Sequence, residues 1–228
     1  MAKLKKVIAS FRFIKNLRNY FRSRKLAKTS PGQITINSES GRLLHNFISN
    51  NEIVDILEIG TYNGLGTTKL ILDAMKAKNT EFNFTSIESD KIFYKEAVKN
   101  LKSHSNLVNI KLGRIIEINE LPDIESIEFE KHGLTPANKE WYIQDLRRYK
   151  KIKNIFSELP NYFDFIVFDG GEFCTFQEFI KLSSKTKYFA LDDINTYKQY
   201  EVLKYISENT SRFVLLENSS TLSIYKVI

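Results

Sequence analysis

Apolar residues along this chain fall into short continuous runs separated by stretches with helical spacing, an alternation that predicts an α/β fold with a mostly parallel sheet. Val54, Ile56, Leu57 and Ile59 form the first run, whose near-continuous apolarity is that of a central strand. Residues 82–87, 107–112, 163–168 and 188–191 repeat the pattern. Between them, residues 67–75 read as a helix, and another that starts near Asp90 carries Tyr94, Ala97, Val98 and Leu101 on one stripe. Residues 212–216 and 221–227 are also strand-like, and the turn-rich link Glu217-Asn218-Ser219-Ser220 between them predicts an antiparallel C-terminal hairpin.

The first strand runs into a turn punctuated by Gly60, Gly64 and Gly66 and out into a helix, VDILEIGTYNGLGTTKLIL, an arrangement that suits nucleotides. Glycine permits positive φ and lets a ligand approach backbone where a Cβ would collide. Neither phosphate fingerprint is met, because GxxxxGK[ST] is absent and the spacing is GxxxGxG, not GxGxxG. Glu58, just before the turn, repels phosphate and suits a cationic or hydroxyl-rich ligand. A second acid, Glu88, ends the next strand, where a ribose can be held through both hydroxyls; alone it also reads as an acid that starts the following helix.

Carboxylates also end the later strands: Asp169-Gly170-Gly171-Glu172 follows one, and Asp192-Asp193 follows the next. Carboxyl ends of parallel strands are where such sheets bind ligands. Asp169, Asp192 and Asp193 converging there repel one another unless a divalent cation or a cationic ligand compensates, and hard oxygen ligands suit Mg²⁺ or a similar ion. The alternative makes Asp192 and Asp193 N-caps for a helix starting near Thr196, and Asp169 a turn former.

The string ExGxxxGxGT, with the segment NSESGRLLHNF at 37–47, resembles the first motif of class I S-adenosylmethionine (SAM) methyltransferases, in the variant of the catechol and caffeoyl-CoA O-methyltransferase group. The resemblance implies a Rossmann-like, doubly wound, mostly parallel sheet ended by the hairpin. It also implies that Glu58, Gly60, Thr61, Tyr62 and Gly64 contact the methionyl side of SAM, with Glu88 at its ribose and Gly113 at its adenine. Metal-dependent members, and related macrolide-sugar O-methyltransferases, carry acids like Asp169, Asp192 and Asp193, where the ion holds the acceptor oxygens and lowers the hydroxyl pKa. Where the catechol type places a lysine base, three residues after the fourth strand's Asp, this chain has Glu172. Glu172, Asp169 and Lys198 are therefore the catalytic candidates.

Composition adds limits. At 228 residues the chain can bury one sizeable core. The single cysteine, Cys174, excludes an internal disulfide and fits a reducing, cytoplasmic setting, while His45, His104 and His132 lie too far apart to suggest zinc. No apolar run is long enough to span a membrane. Residues 1–28 hold ten bases and no acid, which leaves 24 bases against 27 acids elsewhere. Leu4, Val7, Ile8, Phe11, Ile14, Leu17 and Phe21 recur at threes and fours, so residues 1–32 read as a basic amphipathic helix ahead of a catalytic unit at 33–228. Such a helix packs on its own domain or on a second copy in a homodimer, or lies on the inner face of a membrane. Nucleic acid is not expected as a partner, since no RNA-binding module is present.

About 45 residues, 116–161, separate the third and fourth strands, longer than the usual connection. This insertion holds Trp141, Tyr142, Tyr149, His132 and the bases Arg147, Arg148, Lys150, Lys151 and Lys153, which suit an aromatic, sugar or acidic acceptor; a solvated surface helix over 140–156 is the plainer reading. Together these features predict SAM-dependent methyl transfer to a hydroxyl of a small molecule, sugar or glycan, assisted by a divalent cation. An NAD-dependent sugar enzyme shares the loop and ribose acid but needs a pyrophosphate-friendly turn. A nucleic-acid methyltransferase using the basic arm lacks an acceptor string such as [DN]PP[YF].

Overall fold

The structure, a computed structural model, describes residue 32 and residues 34–129 and 131–228. The basic amphipathic helix expected over 1–32 lies outside the described residues except for Gly32.

Seven strands form one sheet: β1 Asp55–Ile59, β2 Asn83–Glu88, β3 Asn109–Leu112, β4 Phe163–Phe168, β5 Thr186–Asp192, β6 Phe213–Asn218 and β7 Leu222–Val227. Their spatial order is β3-β2-β1-β4-β5-β7-β6. The first five run parallel, and β7 lies antiparallel between β5 and β6. The expected hairpin is present, with its second strand inserted next to β5. Winding reverses between β1 and β4, and that switch point is where a doubly wound sheet leaves a crevice at its carboxyl edge.

Alternation along each strand sends side chains to two cores. Phe165 and Val167 of β4 join the layer under α1 (Glu39–Asn50) and α2 (Thr67–Lys78), with Leu44, Ile71 and Met75. Ile166 and Phe168 join the opposite layer, with Phe179 of α5 (Thr175–Leu182) and Val202 of α6 (Tyr197–Glu208). The remaining α-helices of the described residues are α3 (Lys91–Asn100) and α4 (Pro136–Tyr149).

Local signals set the helix starts. Ser38 accepts from Gly41 N at α1 and Asp90 accepts from Ile92 N at α3. Pro136 and a Thr135–Asn138 capping box open α4. One expectation moves: Val54 lies outside β1 and is 42% exposed, with its N–H on Asp164 Oδ2. No helix of the described residues is long and apolar enough to cross a membrane.

Candidate active site

Residues at the carboxyl ends of β1, β2, β4 and β5 line a cavity of about 350 Å³, within the range of small-molecule sites. Gly60 makes this possible. At φ +100, a Cβ there would lie 2.0 Å from the Asp169 carbonyl oxygen, so only glycine lets the chain leaving β1 pass the end of β4. Gly60 N donates to Ile87 O at 2.9 Å, and Asp169 N donates to Ile59 O at 2.9 Å. The turn is thereby fastened to both neighbouring strand ends.

Glu88 organises the β2 side. Its Oε2 accepts from Tyr62 N and its Oε1 from Asp90 N, each at 2.7 Å, so the carboxylate joins the glycine turn to the start of α3. The helix-starting role and the ligand-facing position coexist: Asp90, not Glu88, is the N-cap, and Glu88 lines the cavity. Burial raises its pKa to about 7 against the pull of those two N–H donors. Tyr62 has φ +53 and rests its ring on Phe93, 4.5 Å between centroids. Thr61 and Gly113 also line the cavity, Thr61 with its hydroxyl 2.6 Å from Ser86 Oγ and Gly113 with its N–H on Glu88 O.

Glu58 lies behind that wall, fully buried. Its Oε2 accepts from Thr68 Oγ1 at 2.7 Å and from Ser86 Oγ. Burial raises its pKa to about 8, with Asp169 and Glu88 adding to the effect and the two hydroxyls opposing it. Gly64 lies outside the cavity wall, which runs through Gly66 and Thr67. At φ +76 a Cβ on Gly64 would lie 2.6 Å from Leu101 Cδ1, so this glycine seats the turn against α3.

On the β4–β5 side, Asp169, Asp192 and Asp193 do converge, with one oxygen from each lying within 4.8 Å of the others. The centre of the group is held by Lys198, whose Nζ is 2.7 Å from Asp169 Oδ1 and 2.9 Å from Asp193 Oδ2. Asp193 takes φ +58, a conformation rare outside glycine, and its carboxylate meets the ammonium. Burial and the Asp169 charge raise the pKa of Asp192 to about 8. Burial works against the Lys198 ammonium, but the charges of Asp169, Asp192 and Asp193 offset it and hold the pKa above the ordinary lysine value.

The repulsion among the three acids argued from sequence is met in part from within the chain, because α6 supplies the Lys198 ammonium to Asp169 and Asp193. Asp192 and Asp193 are not N-caps: Thr196 is at that position, and its N–H and hydroxyl both donate to Asp193 O at 2.9 Å. Glu172 accepts from the backbone N–H of Lys198 at 3.2 Å, and burial raises its pKa. Gln199 Nε2 donates to Phe168 O and Asp192 O, locking the start of α6 across β4 and β5.

Two cavity residues, Asp145 and Glu178, carried no sequence signal, and Arg148, read from sequence only as one of the insertion's bases, joins them. Arg148 of α4 bridges Asp90 at 3.1 Å and Asp145 at 2.9 Å, so the insertion forms wall beside Glu88 as well as the region near the acids. Glu178 of α5 joins them, with burial raising its pKa to about 7. Nothing local announces such residues, since each arrives on a helix whose spacing reports only its buried face. Among the described residues, Glu58 Oε1, Glu178 Oε2 and Asp192 Oδ1 are buried with no hydrogen-bond partner. His132 packs on Tyr200 and Tyr197, at 4.3 and 5.2 Å between centroids, over the first turn of α6. Trp141 is 51% exposed, and Arg147, Lys150, Lys151 and Lys153 face solvent.

No protein-family pattern matches the chain, and no curated protein matches it. Solved structures do. An O-methyltransferase from Bacillus cereus in complex with SAH is 13% identical, with a TM-score of 0.54 over 94% of this chain and 91% of that one. The O-methyltransferase TomG from Streptomyces achromogenes, involved in tomaymycin synthesis and in complex with SAM, is 14% identical, with a TM-score of 0.52 over 86% and 82%. The SAH-bound methyltransferase PaMTH1 of Podospora anserina is 12% identical, with a TM-score of 0.54 over 91% and 87%. The chain therefore shares the fold of these methyltransferases.

Proposed function

We propose that the protein transfers a methyl group from SAM to a hydroxyl of a small molecule or sugar. The observation that carries this reading is the pairing of the glycine turn with Glu88 around a cavity bordered by buried acid oxygens that lack partners. Unsatisfied buried oxygens favour a ligand that brings positive charge or N–H donors. SAM brings a sulfonium, an ammonium and a ribose diol, and the residues present fit all three.

Glu88 would accept the ribose hydroxyls through lone pairs not used by Tyr62 N and Asp90 N. Glu58, buried behind the turn, would brace it through Thr68 and Ser86. Ile59, Ile87 and Ile115 supply an apolar wall, which favours a reaction in which charge on the donor is lost. SAM supplies an electrophilic methyl group: the acceptor oxygen bonds the methyl carbon, the carbon–sulfur bond breaks and its electron pair stays on sulfur. Asp169, which lines the cavity, would take the acceptor's hydroxyl proton. Lys198 is unsuited to that task because its carboxylate neighbours keep it protonated. Sugar acceptors are favoured by the aromatic faces of His132, Tyr197 and Tyr200 beside the start of α6.

Titration calorimetry with S-adenosylhomocysteine (SAH) and, separately, NAD⁺ tests the proposal. One SAH site per chain and no NAD⁺ heat are expected. NAD⁺ binding without SAH binding would replace the methyltransferase reading with a dehydrogenase one.

A further inference from the structure

We infer that Lys198 is a built-in cation that takes the place of a divalent metal, so that the acid cluster at the ends of β4 and β5 works without a bound ion. The inference rests on the methyltransferase reading only for the identity of the reaction the cluster serves.

The donor set has the look of a metal site: Asp169, Asp192 and Asp193 each offer one oxygen within 4.8 Å of the others. A hard divalent ion sits roughly 2.0–2.6 Å from each carboxylate oxygen. Here the oxygens of Asp169 and Asp193 that would make such bonds already accept from the Lys198 ammonium at 2.7 and 2.9 Å. An ion placed among them would stand against a fixed positive charge at contact distance, on a lysine side chain that is only 5% exposed. The residues present therefore do not fit a divalent ion unless Lys198 leaves.

Leaving is opposed by its own backbone. Lys198 N donates to Glu172 Oε1, and the adjoining Gln199 is hydrogen-bonded to Phe168 O and Asp192 O. Lys198 sits in the first turn of α6, which holds the ammonium stem against the strand ends. Asp169 and Asp193 both meet the ammonium directly. Lys198 is thus a positioning residue: it fixes the orientation of Asp169 on the wall of the cavity that would receive the acceptor.

Manganese binding followed by electron paramagnetic resonance tests this on the full chain after chelator treatment. The wild-type protein is expected to leave the free Mn²⁺ signal unchanged at micromolar ion. Lys198→Ala, which empties the centre and leaves the acids, is expected to gain one Mn²⁺ site per chain that Asp169→Asn removes again. A loss of structure would not produce that gain; should circular dichroism show Lys198→Ala to be unfolded, Lys198→Met, which keeps the stem without the charge, is measured in its place. Stoichiometric Mn²⁺ binding by the wild type, or no binding by a folded Lys198 variant, would overturn the inference. SAH calorimetry on the same samples separates the two proposals: absent SAH binding with the expected Mn²⁺ pattern removes the cofactor reading and leaves the Lys198 assignment standing.

Discussion

The two halves of the cavity treat buried acid in opposite ways. Beside β1 and β2, Glu58 and Glu88 are held by hydroxyl and amide donors, with no cation in direct contact. Beside β4 and β5, Asp169 and Asp193 meet a lysine ammonium directly. Hydroxyl and amide donors leave the first half without an internal counter-charge, so it stays receptive to a cationic or hydroxyl-bearing ligand; in the second half the Lys198 ammonium already engages oxygens of Asp169 and Asp193. One cavity thereby separates a region that binds positive charge from one that positions a carboxylate.

The largest effect is expected where the halves meet. Gly60→Val places a side chain against the Asp169 carbonyl at a positive φ and should cost about 4 kcal/mol or more in urea unfolding, disrupting both sides together. Undiminished stability would mean that the turn passes β4 by another route. Next, Lys198→Met leaves two acids without their counter-charge, a change that costs about 3 kcal/mol in buried pairs; SAH affinity should fall far less than stability, because the β2 side is untouched. Equal losses in both would merge the halves.

Glu88→Ala reverses that pattern. SAH affinity should drop about 100-fold, roughly 2.7 kcal/mol, the scale of charge-assisted hydrogen bonds. An unchanged dissociation constant would take Glu88 out of the ligand site.

How far the sequence revealed this division follows from how each half is built. The turn, Glu58, Glu88 and Gly113 sit at strand ends next to apolar runs, so periodicity alone placed them at one edge. Asp169, Asp192 and Asp193 were placed for the same reason, but Lys198 reaches them from the first turn of α6, and no spacing rule distinguishes it from Lys187 or Lys204. Arg148 and Glu178 are also brought in by two helices, α4 and α5, that flank β4 in the chain. Gly64 carries a reason the motif does not show: Leu101, far along the chain, also dictates glycine there. The insertion of β7 next to β5 was equally hidden, since a hairpin's local pattern does not say which strand meets the sheet.

A smaller effect distinguishes the halves by pH. Glu58 titrates near 4.5 when unfolded and at about 8 when folded, so the native state holds an extra proton between those values. Its contribution is fully present below about 4.5 and is lost as pH rises through about 8. Stability should fall across that window, and Glu58→Gln should make the fall shallower by on the order of 1–2 kcal/mol. A slope identical to wild type in thermal melts would show that Glu58 ionises normally. The smallest effect is expected from Trp141→Ala: the ring is 51% exposed, and such surface changes stay within about 0.5 kcal/mol. A larger loss of stability would mean that the insertion is braced through Trp141.

Ultraviolet cross-linking of methyl-tritiated SAM, followed by peptide mapping, locates the ligand itself. The label is expected in peptides carrying the turn at residues 60–67 or the strand end at 88–93, and excess SAH should remove it while NAD⁺ does not. Label that SAH fails to displace, or that maps away from the β1 and β2 ends in the folded protein, would contradict the assignment of that half to SAM.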